Sequence, residues 1–208
     1  VKGGPDTRRP VLPVHTAAPR EAHLLGATLA EAFLDDPVWS WLTPDPERRH
    51  RGFPGMFTAL ARHRAAEGTA WTTPGCSGVA LWAAPGRWCT PWWVALPWAP
   101  AALRAFGTGD GLRRAMASLA EMERHHPTEP HWYLEVLGTD PSMQGRGVGA
   151  AVLAPVLERC DRDGLPAYLE SSKAENVPWY ERHGFAVVAE LRARAGAPPS
   201  WTMRRDPR

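Results

Sequence analysis

The sequence has few cysteines, no long apolar run and little net charge, and each shortage removes a class of protein. The three cysteines, Cys76, Cys89 and Cys160, are widely spaced and form no CxxC pair. That count argues against a disulfide framework or a structural zinc site, and no metal is expected; a reducing compartment fits best. No stretch approaches the roughly 18 apolar residues of a membrane span. The opening VKGGPDTRRP has no apolar core of the kind a signal peptide carries. A cytoplasmic protein with no membrane partner is therefore expected. Lysine and arginine together number 24 against 22 acidic residues, a net charge of +2. The basic residues are scattered rather than gathered into a stripe, so nucleic acid is not an expected partner.

What is present is enough chain for one full core. The 208 residues are 44% hydrophobic, and a single domain over 1–208 is expected. Two residue types are in excess, with 22 prolines and 11 tryptophans. Val11–Thr16 reads as a first strand. Pro19 opens a helix with Leu24, Leu25, Leu29 and Phe33 at helical spacing, and Pro37 is expected to end it. Asp45-Pro46 starts a second helix. Thr69–Thr73 and Gly78–Ala84 read as strands joined at Pro74-Gly75. Residues 85–125 form a Trp/Pro-rich insertion, irregular over Pro85–Pro100 and then helical in two pieces around Gly107–Gly111. His131–Thr139 is a strand, Gly147–Asp163 a helix, Pro166–Ser172 a strand and Asn176–His183 a short helix. Phe185–Ala193 and Ser200–Arg204 close the chain as a hairpin. The order predicts an α/β or α+β fold around one central sheet.

The most informative stretch is Leu134–Ala150, LEVLGTDPSMQGRGVGA. A strand runs into a short loop, then Gly145, Gly147 and Gly149, then an apolar helix. Backbone N–H groups at a helix N-terminus favour an anion, and glycine lets a phosphate come close to the main chain. Arg146 could add a charge-assisted contact. The loop therefore reads as a phosphate or pyrophosphate site. Gly145, Gly147 and Ala150 also satisfy the dinucleotide fingerprint GxGxxG/A, with Glu170 20 residues after Ala150. Against that reading, Asp140–Gln144 separate the glycines from the strand, and little chain follows Glu170.

Gln144-x-x-Gly147-x-Gly149 resembles the acetyl-CoA pyrophosphate motif of GNAT acetyltransferases. Asn176-x-Pro178-x-Tyr180-x-x-x-Gly184-Phe185 resembles the family's second signature, in the right order and about 30 residues later. Within the family, PSMQGRGVGAAVLAPVLE, PAYLESS, NVPWYERHGF and WTMRRDP resemble puromycin-type acetyltransferases. The resemblance implies a mixed sheet of about six to seven strands, splayed between 131–139 and 166–172, with helices on both faces. It implies acetyl-CoA as cosubstrate and a small-molecule amine as acceptor, with direct transfer in a ternary complex. Pantetheine would pair with main chain at Leu137, Gly138 and Thr139, with the Leu137 N–H donating to the acetyl oxygen. Gln144, Gly145, Arg146, Gly147, Val148, Gly149, Ala150 and Asn176 would hold the rest of the cofactor. Tyr180 would be the general acid for the thiolate, since a phenol stays protonated at neutral pH.

Glu135 is a candidate base. Strand alternation puts it on one face with Tyr133, Leu137 and Thr139, two residues before the acetyl site; the alternative is a glutamate paired with an arginine. Asp35 and Asp36 follow the first helix, where related enzymes border the acceptor pocket. Trp39 and Trp82, with Trp88, Trp92, Trp93 and Trp98, could wall an aromatic or apolar acceptor; their alternatives are core packing or a dimer interface. The histidines show no metal-ligand spacing and carry little weight. Protein N-terminal or lysine acetylation, a non-catalytic CoA sensor and a NAD-type oxidoreductase are the competing functions, and the assembly is a monomer or homodimer.

Overall fold

The computed structural model describes residues 12–208. Its frame is a seven-stranded sheet in the order β1-β2-β3-β4-β5-β7-β6. The strands are β1 His15–Thr16, β2 Ala70–Thr72, β3 Gly78–Ala83, β4 Trp132–Thr139, β5 Ala167–Ser171, β6 Ala186–Leu191 and β7 Ser200–Arg205. Every neighbouring pair is antiparallel except β4 and β5. A doubly wound dinucleotide fold needs a mostly parallel sheet, so one parallel step is incompatible with reading Gly145–Ala150 as its fingerprint. The expected first strand shrinks to His15–Thr16, and Val11 lies outside the described residues, as does the opening decapeptide.

The helices are α1 Ala22–Phe33, α2 Pro37–Leu42, α3 Pro46–Ala66, α4 Trp92–Ala95, α5 Ala99–Phe106, α6 Asp110–His125, α7 Val148–Asp163 and α8 Val177–Arg182. Asp45 caps α3 by accepting the Glu47 N–H, with Pro46 in the first turn. Asp36-Pro37 does the same for α2: the Asp36 carboxylate accepts from Val38 and Trp39. Pro37 thus opens a helix rather than closing one. Residues 85–100 are also less irregular than expected, because α4 and a 3-10 turn over Leu96–Trp98 lie within them.

Two cores sandwich the sheet. Leu25 and Leu29 of α1 meet Phe53 and Phe57 of α3 on one face. On the other, Val152, Val156 and Cys160 of α7 pack against Trp82, Trp132 and Leu134. The expected apolar stripe of α7 is buried throughout. Burying each such side chain stabilises the fold by roughly 1.5–3 kcal/mol, which anchors α7 under β4. Among the described residues no helix is long and apolar enough to cross a membrane.

Candidate active site

The site is made by a fault in strand pairing. β4 and β5 pair from Trp132–Ala167 to Leu134–Leu169 and then part. Beyond that point β4 stays bonded to β3 only. The two strands leave a wedge whose inner edges carry unused main-chain groups.

A bulge decides which groups face the wedge. Leu81 lies opposite Val136 and Trp82 opposite Leu134, so Glu135 has no partner. An extra residue reverses the alternation of the strand beyond it. The backbone shows the reversal. The Trp132 N–H donates to Pro166 on the β5 side (2.9 Å), yet the Asp140 N–H, an even number of residues on, donates to Ser77 on the β3 side (2.8 Å). The N–H groups of Leu137 and Thr139 therefore turn into the wedge, as expected of a thioester and pantetheine site. Side chains follow the same rule. Val136 joins the α1/α3 core while Leu137 packs on the α7 side. Glu135 consequently shares a face with Tyr133 but not with Leu137 and Thr139, correcting the expected alternation. Gly138 is glycine for packing, since a Cβ there would stand 2.7 Å from Leu29 Cδ2 of α1.

The wedge opens onto the start of α7. Gly145 and Gly147 have φ of +73° and +83°, conformations that disfavour any side chain. Gly147 is the N-cap of α7 and offers no side-chain cap. The first closing bond of the helix runs from Ala151 to Gly147 (3.0 Å). The N–H groups of Val148, Gly149 and Ala150 have no acceptor within the helix, and the helix dipole adds positive potential there. Gln144, Gly145, Gly147, Val148, Gly149, Ala150 and Asn176 all line the cavity. Arg146 does not: it is exposed and off the cavity wall.

That cavity has a volume of about 1360 Å³ and is lined by residues from both faces of the sheet. Ligand sites usually occupy 300–1,000 Å³, so there is room for two reactants at once. On the α7 side stands Tyr180, buried and packed edge-on against Phe185. Burial pushes its phenol above the ordinary value, so it stays protonated. On the other face lie two carboxylates with different environments. Both Glu135 oxygens accept from the fully buried Arg64, at 2.6 Å each. Burial raises the Glu135 pKa and Arg64 pulls it part of the way back. Arg64 also holds Glu67, which in turn binds Arg87. Glu135 thus ends a chain of ions that runs through Arg64 and Glu67 to Arg87, with both its oxygens engaged; the arginine-paired alternative is the one realised.

Glu170 of β5 has no such partner. Its Oε1 is buried without a hydrogen bond from the protein, and so is the Tyr168 hydroxyl. Burial lifts the Glu170 pKa to about 7, with the Tyr133 and Tyr168 phenols pulling it partly back and the Glu135 charge adding to the rise. A carboxylate that titrates near neutrality inside a cavity is suited to proton transfer. The sequence singles out Glu170 only by its spacing after Ala150 in the dinucleotide fingerprint. Above it, Trp88 stacks on His126 with ring centres 3.8 Å apart, and His126 Nε2 lies 2.9 Å from His131 Nε2. His126 is held down to about 4 by burial and by His131. His126, given little weight in the sequence, therefore lines the site, with His131 behind it.

The match to known proteins agrees with this geometry. Residues 85–185 match the Acetyltransferase (GNAT) family model. An uncharacterized N-acetyltransferase of Schizosaccharomyces pombe is 30% identical over 79% of this chain and 70% of its own length. The chain belongs to the GNAT acetyltransferase family. A solved Corynebacterium glutamicum protein, described as histone acetyltransferase HPA2 and related acetyltransferase, shares the fold with a TM-score of 0.67, 24% identity and coverage of 95% and 97% of the two chains. A mosquito arylalkylamine N-acetyltransferase-like protein shares it with a TM-score of 0.63, 13% identity and coverage of 94% and 99%. GNAT enzymes use acetyl-CoA, and the splayed β4–β5 pair and seven-stranded mixed sheet are those of the family resemblance.

Within the GNAT frame the acceptor-side candidates divide. Trp39 lines the cavity but also packs among Phe33, Phe53 and Phe57. Trp82 is wholly buried in the α7-side core and touches no part of the cavity, so it is a core residue. Asp35 is exposed and off the cavity wall. Asp36 lines the cavity, but its oxygens are taken by the α2 cap and by the Ser172 hydroxyl at 2.5 Å. Burial raises its pKa, with the Ser172 bond opposing the rise. Asp36 ties α2 to the end of β5 and so holds one edge of the wedge. Trp88 and Trp98 do line the cavity, Trp93 is largely exposed, and the Trp92 side chain lies outside the described set. Among the described residues no group of three or more metal-ligating side chains occurs.

Proposed function

We propose that this GNAT protein is an N-acetyltransferase that moves an acetyl group from acetyl-CoA to a primary amine of a small aromatic or apolar molecule, directly and in a ternary complex. One observation carries the reading. A single cavity joins the uncapped start of α7, the unpaired Leu137 and Thr139 N–H groups and the Glu170 carboxylate, which has phenols but no arginine beside it. An anionic cosubstrate, a thioester carbonyl and an ammonium group each find a complementary group there, in that order along the cleft.

The roles follow from the chemistry. Glu170 takes a proton from the acceptor ammonium, leaving a neutral amine. The amine nitrogen attacks the thioester carbon while the Leu137 N–H stabilises the charge growing on the carbonyl oxygen. The carbon–sulfur bond breaks as Tyr180 gives its proton to the departing thiolate, and the second proton of the attacking nitrogen passes to the phenolate so formed, leaving a neutral amide, a thiol and the phenol restored. Gln144 to Ala150, with Asn176, hold the pyrophosphate and pantetheine arm. Arg64 keeps Glu135 occupied, so of these two carboxylates Glu170 is the one without a cation held against it. Trp39, Trp88 and Trp98 supply flat walls for an aromatic or apolar acceptor. Helices α4 to α6 lie between β3 and β4 and roof this side, which favours a small molecule over a protein lysine or N-terminus, for which an open groove is needed.

The test is thermal shift with acetyl-CoA and with NAD, followed by thiol release over an amine panel. Stabilisation by acetyl-CoA and amine-dependent thiol release are expected. Stabilisation by NAD alone would overturn the reading, and binding of acetyl-CoA with no thiol release from any amine would leave a CoA sensor in its place.

A further inference from the structure

The acceptor half of the cavity runs along α6, and α6 is unusual. It has 16 residues and none of them is buried. Leu112, Met116, Leu119, Met122 and His126 nevertheless all line the cavity. The first four, spaced four, three and three residues apart, lie on one stripe of the helix about 15 Å long, and His126 extends the wall just past the helix end. The two ends of the wall differ. The His126 end meets Tyr133 and Tyr168, at 4.8 and 5.3 Å between ring centres, beside Glu170. At the Leu112 end the wall includes Trp41 and Phe106, with the Arg114 guanidinium 5.5 Å over the Trp41 ring. Met116 is 58% exposed and Leu119 45% exposed, so this wall is wet without an occupant. Two acidic groups of α6 also reach the cavity: Glu121, which is held by Arg124 and His125, and the exposed Glu123.

We infer that the acceptor carries its single amine at one end of an extended apolar body, up to about 20 Å long, that lies along α6. The inference rests on the acetyl-transfer reading and adds the shape and chemistry of the acceptor. The amine meets Glu170, and the body covers Met122, Leu119, Met116 and Leu112 in turn. Methionines suit such a wall because their unbranched side chains adapt to chains of different outline.

The test uses acetyl-CoA with n-alkylamines from butylamine to dodecylamine, each below its micelle concentration, with spermidine as the polyamine. We expect kcat/KM for thiol release to rise about 2- to 4-fold per added methylene. A flat series, or spermidine exceeding dodecylamine, overturns the inference and leaves acetyl transfer intact. Faster transfer from decanoyl-CoA to butylamine than from acetyl-CoA to decylamine would put the chain on the donor and also overturn it. Decanol, which has no amine, reads the body site alone through tryptophan fluorescence. Saturable binding weakened at least tenfold in Met116→Asp, with the variant's Tm retained, is the expected result whether or not any amine reacts. Absent binding, or binding that Met116→Asp leaves unchanged, overturns the inference in either case.

Discussion

Replacing Glu170 with glutamine should make the protein slower and more stable at once. The ionised carboxylate is costly because Oε1 has no donor and the site is buried. Its pKa stands at about 7 in the fold against an ordinary 4.5. A carboxyl raised in the folded state binds its proton more tightly there than in the unfolded chain. Its contribution is therefore intact below pH 4.5 and is lost as the pH rises through 7. At about 1.4 kcal/mol per pH unit across that interval, the ionised group costs the fold on the order of 3 kcal/mol above pH 7. Glutamine never ionises, so Glu170→Gln should match the wild type to within about 1 kcal/mol at pH 5 and exceed it by on the order of 3 kcal/mol at pH 8.5. Urea unfolding at the two pH values, followed by tryptophan fluorescence, reads the difference. Turnover should fall by about 10²- to 10⁴-fold, the usual worth of a general base. The wild-type kcat/KM should climb through a limb centred near pH 7, and the variant should lack it. A carboxylate that only shaped the fold would move stability but not the limb. Wild-type kcat/KM in Glu170→Gln, or a stability gap that does not widen with pH, would refute the reasoning.

Tyr180→Phe should keep the fold and the KM for acetyl-CoA, and lower kcat by about 10²-fold as the thiolate loses its proton donor; an unchanged rate in a thiol-release assay would remove Tyr180 from the mechanism. Gly147→Val should cost about 1–3 kcal/mol of backbone strain at φ +83°. A Cβ at Gly147 meets nothing within 4 Å and would project into open space at the α7 start, so the KM for acetyl-CoA should rise by at least tenfold, and a KM equal to wild type would detach the loop from the cosubstrate. Arg64→Met leaves the Glu135 charge buried without its partner and should destabilise by about 3–5 kcal/mol in a urea melt; Arg64→Met with Glu135→Leu should recover most of that loss, and no recovery would mean that Arg64 acts through something other than this pair.

What was legible in the sequence was local, and what was missed depended on distant strands. The Gln144–Ala150 loop could be read because its glycines, its helix and its place after a strand lie within 20 residues. Asp45-Pro46 was read as a helix start, and the same dipeptide at Asp36-Pro37 was read as a stop, because a helix immediately preceded it. Nothing local separates the two cases; the half-buried Ser172 hydroxyl that fixes Asp36 comes from 136 residues away. Trp82 and Trp88 are equally tryptophan-like in composition, and only the sheet places one under α7 and the other over His126. The base shows the limit most sharply. The β4 sequence WYLEVLGT contains no proline, and its one glycine comes three residues after the bulge, so simple alternation put Glu135 beside Leu137. The bulge opposite Leu81 and Trp82 breaks that alternation and turns Glu135 toward Arg64. One extra residue thus decides two things at once: it aims the Leu137 and Thr139 N–H groups into the wedge, and it puts the Glu135 side chain on the opposite face from those of Leu137 and Thr139.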